Sequence, residues 1–182
     1  MLLASAPSLP AKVASATVRR PPPLYTPEQR QRRDATPWTR VQGLLAPAQF
    51  LAFLVSLVLV LRTLSTGEGA GAAAASVVVK TLFLYAIMVT GAIWEKRVFG
   101  CYLFAPAFFW EDVFSMLVIA LHTAYLGALC TGWLDVRGQL LLALAAFATY
   151  VINATQFILK LRAARLGEQQ AAAPVGLGEA VQ

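Results

Sequence analysis

The stretch FFWEDVFSMLVIALHTAYL, residues 108–126, sets two adjacent carboxylates at the start of an apolar run and a histidine ten residues inside it. Glu111, Asp112 and His122 are side-chain types that move protons in general acid–base chemistry. Eleven residues make almost three helical turns, so Glu111, Ser115, His122 and Tyr125 fall near one face of a helix. Ionisable groups are costly in an apolar segment and are more often functional there than elsewhere. The plainer alternatives are a cap and dipole partner for Glu111 and Asp112, and a hydrogen-bonded structural histidine for His122. Glu95 is a further carboxylate, although its neighbours Lys96 and Arg97 offer it simple ion pairs.

The elements that hold these groups follow from hydropathy. Of 182 residues, 58% are hydrophobic and 13% charged, with a mean hydropathy of +0.64. A soluble domain carries about 25% charge, so most of this chain is expected in lipid. No charge interrupts the residues between Arg40 and Arg62 or between Arg137 and Lys160. Between Glu68 and Glu95 the only charge is Lys80, and between Asp112 and Asp135 the only titratable group near neutrality is His122. Each run meets the ~20 residues needed to cross a bilayer core. Backbone groups in lipid must pair within their own segment, which leaves helices. The expected fold is all-α, a polytopic four-helix transmembrane bundle with spans at 41–61, 72–94, 112–133 and 139–160.

Residues 1–23, rich in Pro and Ala and free of acids, are expected to be a disordered extension; they make a poor secretory signal. Residues 167–182, rich in Gly, Ala and Gln, are expected to be a loose tail, leaving 24–166 as the membrane domain. Thr26, Pro27 and Gln29 spell a capped helix start with a capping box. Thr36-Pro37 repeats the start signal. A short basic helix is therefore expected at the membrane surface, drawn to anionic lipid heads or serving as a topogenic charge cluster. Cys101 and Cys130 flank the third span, too far apart for a disulfide.

Four spans put both termini on one side together with the second connection. That side carries twelve Lys and Arg residues against two, Arg62 and Arg137, on the other. The positive-inside rule makes it cytoplasmic. Polar stripes mark the inner faces: Gln42, Gln49 and Ser56; Lys80, Tyr85 and Thr90; Thr149, Asn153, Gln156 and Lys160. Most are expected to act as interhelical glue, at roughly 0.6 kcal/mol per bond. Lys80 is expected to snorkel toward the outer interface. The sum is a cytoplasm-facing cup with an acidic rim, aromatic walls and a deeper histidine. It suits a flat apolar ligand with a polar edge. No nucleic-acid partner is expected.

Three stretches carry a resemblance: PLYTPEQRQRRDATPWTRVQGLLAPAQFLAFLVSLVLVLR, VVKTLFLYAIMVTGAIWEKRVFGCYLFAPAFFWEDVFSMLVIALHTAYL and NATQFILKLRAARL. Over residues 23–166 the chain resembles the bacteriochlorophyllide 3-vinyl hydratases of anoxygenic photosynthetic bacteria (2-vinyl in an older ring nomenclature). The resemblance implies a hydro-lyase of bacteriochlorophyll synthesis in the bacterial inner membrane. Water would add to the C3 vinyl group of chlorophyllide a or 3-vinyl bacteriochlorophyllide a, giving a 1-hydroxyethyl group. No added cofactor is expected, since the Mg²⁺ belongs to the pigment; other pigment-synthesis enzymes are possible partners.

Read against that chemistry, Glu111 is the expected proton donor, screened by Phe108, Phe109 and Trp110, with Asp112 as base or cap and Glu95 as a further acid. His122 is expected as a second acid–base group or as an axial ligand to the pigment Mg²⁺. Trp94, Phe108, Phe109, Trp110, Ser115, Tyr125, Gln49, Asn153 and Gln156 are the expected substrate contacts. The competing expectations are a non-catalytic pigment-binding or assembly protein, and a small transporter using Lys80 and His122. The lack of an inverted repeat or a pair of broken helices weighs against the transporter.

Overall fold

The structure, a computed structural model, describes residues 23–172. Of the segments 1–23 and 167–182 expected to be loose, residues 1–22 and 173–182 lie outside the described residues. Five helices follow one another: α1 (Pro27–Ala35), α2 (Pro37–Thr66), α3 (Ala70–Phe99), α4 (Phe109–Thr131) and α5 (Val136–Ala172). The four long helices are each long and apolar enough to cross a membrane.

Local sequence explains the boundaries. In α1 the Thr26 hydroxyl accepts the Gln29 amide at 3.3 Å while Gln29 Oε1 accepts the Thr26 amide at 2.9 Å. This is the expected capping box, which satisfies two amides that have no partner within the helix. Thr36 precedes α2 as expected, but its hydroxyl makes no cap bond. Thr39 instead donates to the Arg33 carbonyl at 2.6 Å and fixes the α1–α2 corner. Helices α2, α3 and α4 are followed by Gly67, Gly100 and Gly132 at φ +76°, +89° and +66°. That left-handed backbone is open to glycine without a Cβ clash, so each helix stops there.

The helices pack as two hairpins, α2 with α3 and α4 with α5, and contacts of α3 with α4 and of α2 with α5 close the ring. Apolar and polar groups are distributed as lipid demands. Leu51, Val58, Leu82 and Val89 face outward, whereas Gln49, Ser56, Lys80, Thr81, Ser115, His122 and Asn153 are buried. Phe53 anchors the interior, edge-on to Phe147 at 5.5 Å and tilted on Tyr150 at 5.1 Å. The expected glue is present in Ser56···Ser76 at 2.9 Å, Gln42→Thr90 at 2.7 Å and Tyr85···Thr123 at 2.7 Å.

A second, aromatic cluster closes the positively charged end. Tyr25, Val98 and Phe108 are buried there against Trp94, Phe99 and Phe157. Helix α5 continues to Ala172, past the expected domain end at 166. Its Glu168 accepts Arg30 at 3.1 Å and lies 3.6 Å from Arg33, so the last turns of α5 hold α1 in place. Replacing Thr26 with Ala removes the α1 cap, a loss of about 1 kcal/mol. Hydrogen exchange of residues 27–35 is expected to accelerate, with α2–α5 unchanged; unaltered exchange in α1 would mean that packing alone holds it.

Candidate active site

The second connection, between Phe99 and Phe109, turns back over the start of α4 and gathers the acids. Phe104 sits at φ +61°, a conformation that costs a bulky residue of order 1–3 kcal/mol and needs outside support. Two carboxyls supply that support. The Phe104 amide donates to Asp112 Oδ2 at 2.7 Å, and the Ala105 amide to Glu95 Oε2 at 3.3 Å. Glu95 and Asp112 are both buried, and the adjacent amides of Phe104 and Ala105 bring their carboxyls side by side. An ionised carboxylate only accepts hydrogen bonds, so two apposed carboxyls can bond each other only by sharing a proton. Glu95 thus does not pair with Lys96 or Arg97, as its neighbours in the sequence led us to expect. Lys96 donates to the Gly100 carbonyl at 2.8 Å instead.

Glu111, one residue from Asp112, has a different environment. Its Oε2 accepts Lys160 Nζ at 2.5 Å, and the ammonium lies 5.2 Å from the centre of the Phe108 ring. Of the three aromatics expected to screen the acid, only Phe108 is buried. Phe109 and Trp110 are 44% and 66% exposed. Each step along a helix rotates by 100°, so three consecutive side chains cannot share one face. Trp94 lines the aromatic cluster, edge-on to Phe108 at 5.8 Å, and donates Nε1 to Thr39 at 3.0 Å.

One turn further in, Asn153 Nδ2 donates to Ser115 Oγ at 2.8 Å. Gln49 is buried nearby along the bundle axis, one turn from Phe53, and Gln156 lies one turn from Asn153 on α5. His122 points into the bundle and is fully buried, as its place on the Glu111 face requires. Lys80 is the correction. It does not snorkel: it is fully buried, its Nζ lies 2.8 Å from His122 Nε2, and it sits 4.1 Å from the centre of the Tyr150 ring. His122 Nδ1 is 2.8 Å from the Val118 carbonyl. A carbonyl only accepts, so Nδ1 carries the proton and Nε2 turns its lone pair to Lys80. With both nitrogens engaged, the expected axial-ligand role of His122 does not fit this geometry. Tyr125 is buried one turn beyond, its hydroxyl unpartnered among the described residues.

Sequence reasoning missed the partners more than the residues. Lys160 was visible on the α5 stripe and Glu111 on the α4 face, but 49 positions separate them. Lys80 and His122 were each conspicuous, yet no spacing rule joins residues 42 apart on different helices.

Four apolar helices, long enough to cross a membrane, around two apposed buried carboxyls with a part-buried ion pair beside them, make a helical membrane protein with an acidic site at one end. The family profile described as 2-vinyl bacteriochlorophyllide hydratase (BCHF) matches residues 25–163, a span that contains every residue of this site. The chain is 73% identical over 143 residues to the 2-vinyl bacteriochlorophyllide hydratase of Rhodobacter capsulatus, covering 79% of this chain and 83% of the relative. It is 69% identical over 149 residues to the 2-vinyl bacteriochlorophyllide hydratase of Cereibacter sphaeroides, covering 81% and 92%. No solved structure matches the chain. The chain belongs to the 2-vinyl bacteriochlorophyllide hydratase family.

The ion pair makes a stability prediction. Lys160→Met leaves the Glu111 carboxylate buried without its cation, at a loss of about 1–3 kcal/mol. Adding Glu111→Gln to that variant is expected to recover most of the loss, read as the unfolding midpoint in detergent. Additive losses would show that the two side chains do not interact.

Proposed function

We propose that this chain adds water across the C3 vinyl group of chlorophyllide a or 3-vinyl bacteriochlorophyllide a, with the Glu95–Asp112 pair as its acid and base. The observation that carries the assignment is the apposition of these two buried carboxyls on adjacent loop amides at the mouth of the site, where they can share one proton. The names of the relatives at 73% and 69% identity support the reaction.

The pair's proton passes to the terminal carbon of the vinyl group, turning CH₂ into CH₃. A cation develops on the carbon next to the ring, where the macrocycle delocalises it. Water forms the new C–O bond and gives up a proton to the carboxylate just formed, so the pair ends as it began. Glu111 is less free to act as donor than its place in the sequence implied, because its carboxyl is engaged by Lys160. In that state its charge helps stabilise the developing cation. This chemistry needs an acid, a base and water, and no cofactor beyond the pigment's own Mg²⁺. Phe104, Phe109 and Trp110, exposed beside the acid pair, offer the macrocycle an apolar ridge.

The charge asymmetry supports a cytoplasmic location for this mouth and for both termini, in the inner or intracytoplasmic membrane of a photosynthetic bacterium. Cys101 lies at the positive end, and Cys130, exposed, at the opposite one. A membrane-impermeant thiol reagent applied to intact spheroplasts is expected to label Cys130 and to reach Cys101 only after lysis. Labelling of Cys101 alone would invert the topology.

Asp112→Asn and Glu95→Gln are each expected to lower turnover of a vinyl bacteriochlorophyllide by ~10²–10⁴ while pigment still binds. Glu111→Gln is expected to lose less. Near-normal turnover in Asp112→Asn would remove the acid role from the pair.

A further inference from the structure

Just inside the acid pair, Ser115 and Asn153 form a unit that the proton chemistry leaves unused. Ser115 is 3% exposed and Asn153 8%. Asn153 Nδ2 donates to Ser115 Oγ at 2.8 Å. The serine oxygen is thus an acceptor in this bond, and its own O–H remains to be donated. Asn153 Oδ1, buried, accepts from no group among the described residues. The unit therefore offers one donor and one acceptor side by side, and buried polar atoms of this kind are normally satisfied.

Two further observations locate it. Ser115 follows Asp112 by three residues and Glu111 by four on α4, so it lies one turn deeper under the acids. On the facing helix, Gln49 is 3% exposed and its Oε1 is likewise unpartnered. Helices α2 and α5 run antiparallel and meet where Phe53 touches Tyr150 at 5.1 Å. One turn from that contact toward the acids, α2 carries Gln49 and α5 carries Asn153, which brings both free acceptors to the same level.

We infer that Ser115 and Asn153, with Gln49 opposite, hold the water molecule that the reaction consumes. The inference rests on the acid role proposed for Glu95 and Asp112. The chemistry of the partner is set by what is offered. The Ser115 hydroxyl donates to one lone pair of the water oxygen, and Asn153 Oδ1 accepts one of its protons. The second lone pair is left to attack the cation, and the second proton to pass to the carboxylate. An amide is not basic enough to take a proton itself, so Asn153 orients the water and leaves deprotonation to the acid pair. An ammonium only donates and a carbonyl only accepts, whereas water does both and is the reactant that must lie beside the acids.

Capture of the cation by water can be separated from its formation by deuterium. In D₂O the acid pair carries deuterium and delivers it to the vinyl terminus, giving CH₂D. A cation that water captures becomes the hydroxyethyl product. One that is not captured loses a proton from CH₂D to the carboxylate and returns as a vinyl group bearing deuterium. Membranes containing the full chain are given a vinyl bacteriochlorophyllide in D₂O, and pigments are analysed by mass spectrometry at low conversion. Ser115→Ala and Asn153→Leu are expected to lower product formation by up to roughly 10²-fold and to raise the ratio of deuterated vinyl pigment to product by about tenfold or more. Ser115→Thr, which keeps the hydroxyl, is expected to restore the wild-type ratio. A loss of product with an unchanged ratio in both Ser115→Ala and Asn153→Leu overturns the water site, because mere damage to folding or pigment binding slows exchange and hydration together. Wild-type turnover in both overturns it as well. Asp112→Asn serves as the control for the acid: it is expected to abolish exchange and hydration alike. If Asp112→Asn still exchanges deuterium, the acid assignment fails, and the raised ratio in the Ser115 and Asn153 variants continues to support the water site.

Discussion

An unpartnered polar group in hydrocarbon costs several kcal/mol, and this constraint arranges the whole bundle. Its clearest expression is Lys80. The ammonium stem starts in the middle of an apolar helix, far from any described carboxylate, and is satisfied by the His122 lone pair and the face of Tyr150. His122 is in turn fixed by the Val118 carbonyl. That chain of contacts joins α3, α4 and α5 at one level and sets their rotation about their own axes. Once those rotations are set, Ser115 and Asp112 on α4 must face Asn153 on α5 and Glu95 on α3.

The same constraint explains why the acids gather where they do. A carboxyl pair at the centre of the bundle would need several donors. At the mouth, the connection after Gly100 supplies two backbone amides, from Phe104 and Ala105. The loop and the acids stabilise each other: the left-handed turn at Phe104 presents the amide, and Asp112 makes that turn tolerable. Lys160, at the end of the α5 stripe, pairs with the third acid. Two neighbouring carboxyls, Glu111 and Asp112, are thereby given opposite electrostatic surroundings by a cation on one side and a second acid on the other.

Much of the fold was legible in the sequence because its signals are local. The Thr26–Gln29 capping box, the four charge-poor runs and the inward face of Ser115, His122 and Tyr125 depend only on spacing along one helix. The site was legible as a set of residues and obscure as a set of pairs. Hydropathy treats a lone lysine such as Lys80 as a group that reaches for the surface, because its partner lies on another helix. Glu95 looked like the neighbour of Lys96, because nothing in GCYLFAPAF announces a turn that carries Ala105 back to it. Phe108, Phe109 and Trp110 read as one aromatic wall, although helical rotation leaves only the first of them inside.

The central claim is that Glu95 and Asp112 act as one acid rather than as two independent groups. Residues that work as a unit show grossly non-additive losses when removed together. The most direct measurement is therefore the turnover of the Glu95→Gln/Asp112→Asn double variant beside the two single variants, in membranes with equal amounts of folded protein and saturating vinyl bacteriochlorophyllide. A shared proton predicts that the double variant is no slower than the slower single one. Losses that multiply in the double variant would contradict it.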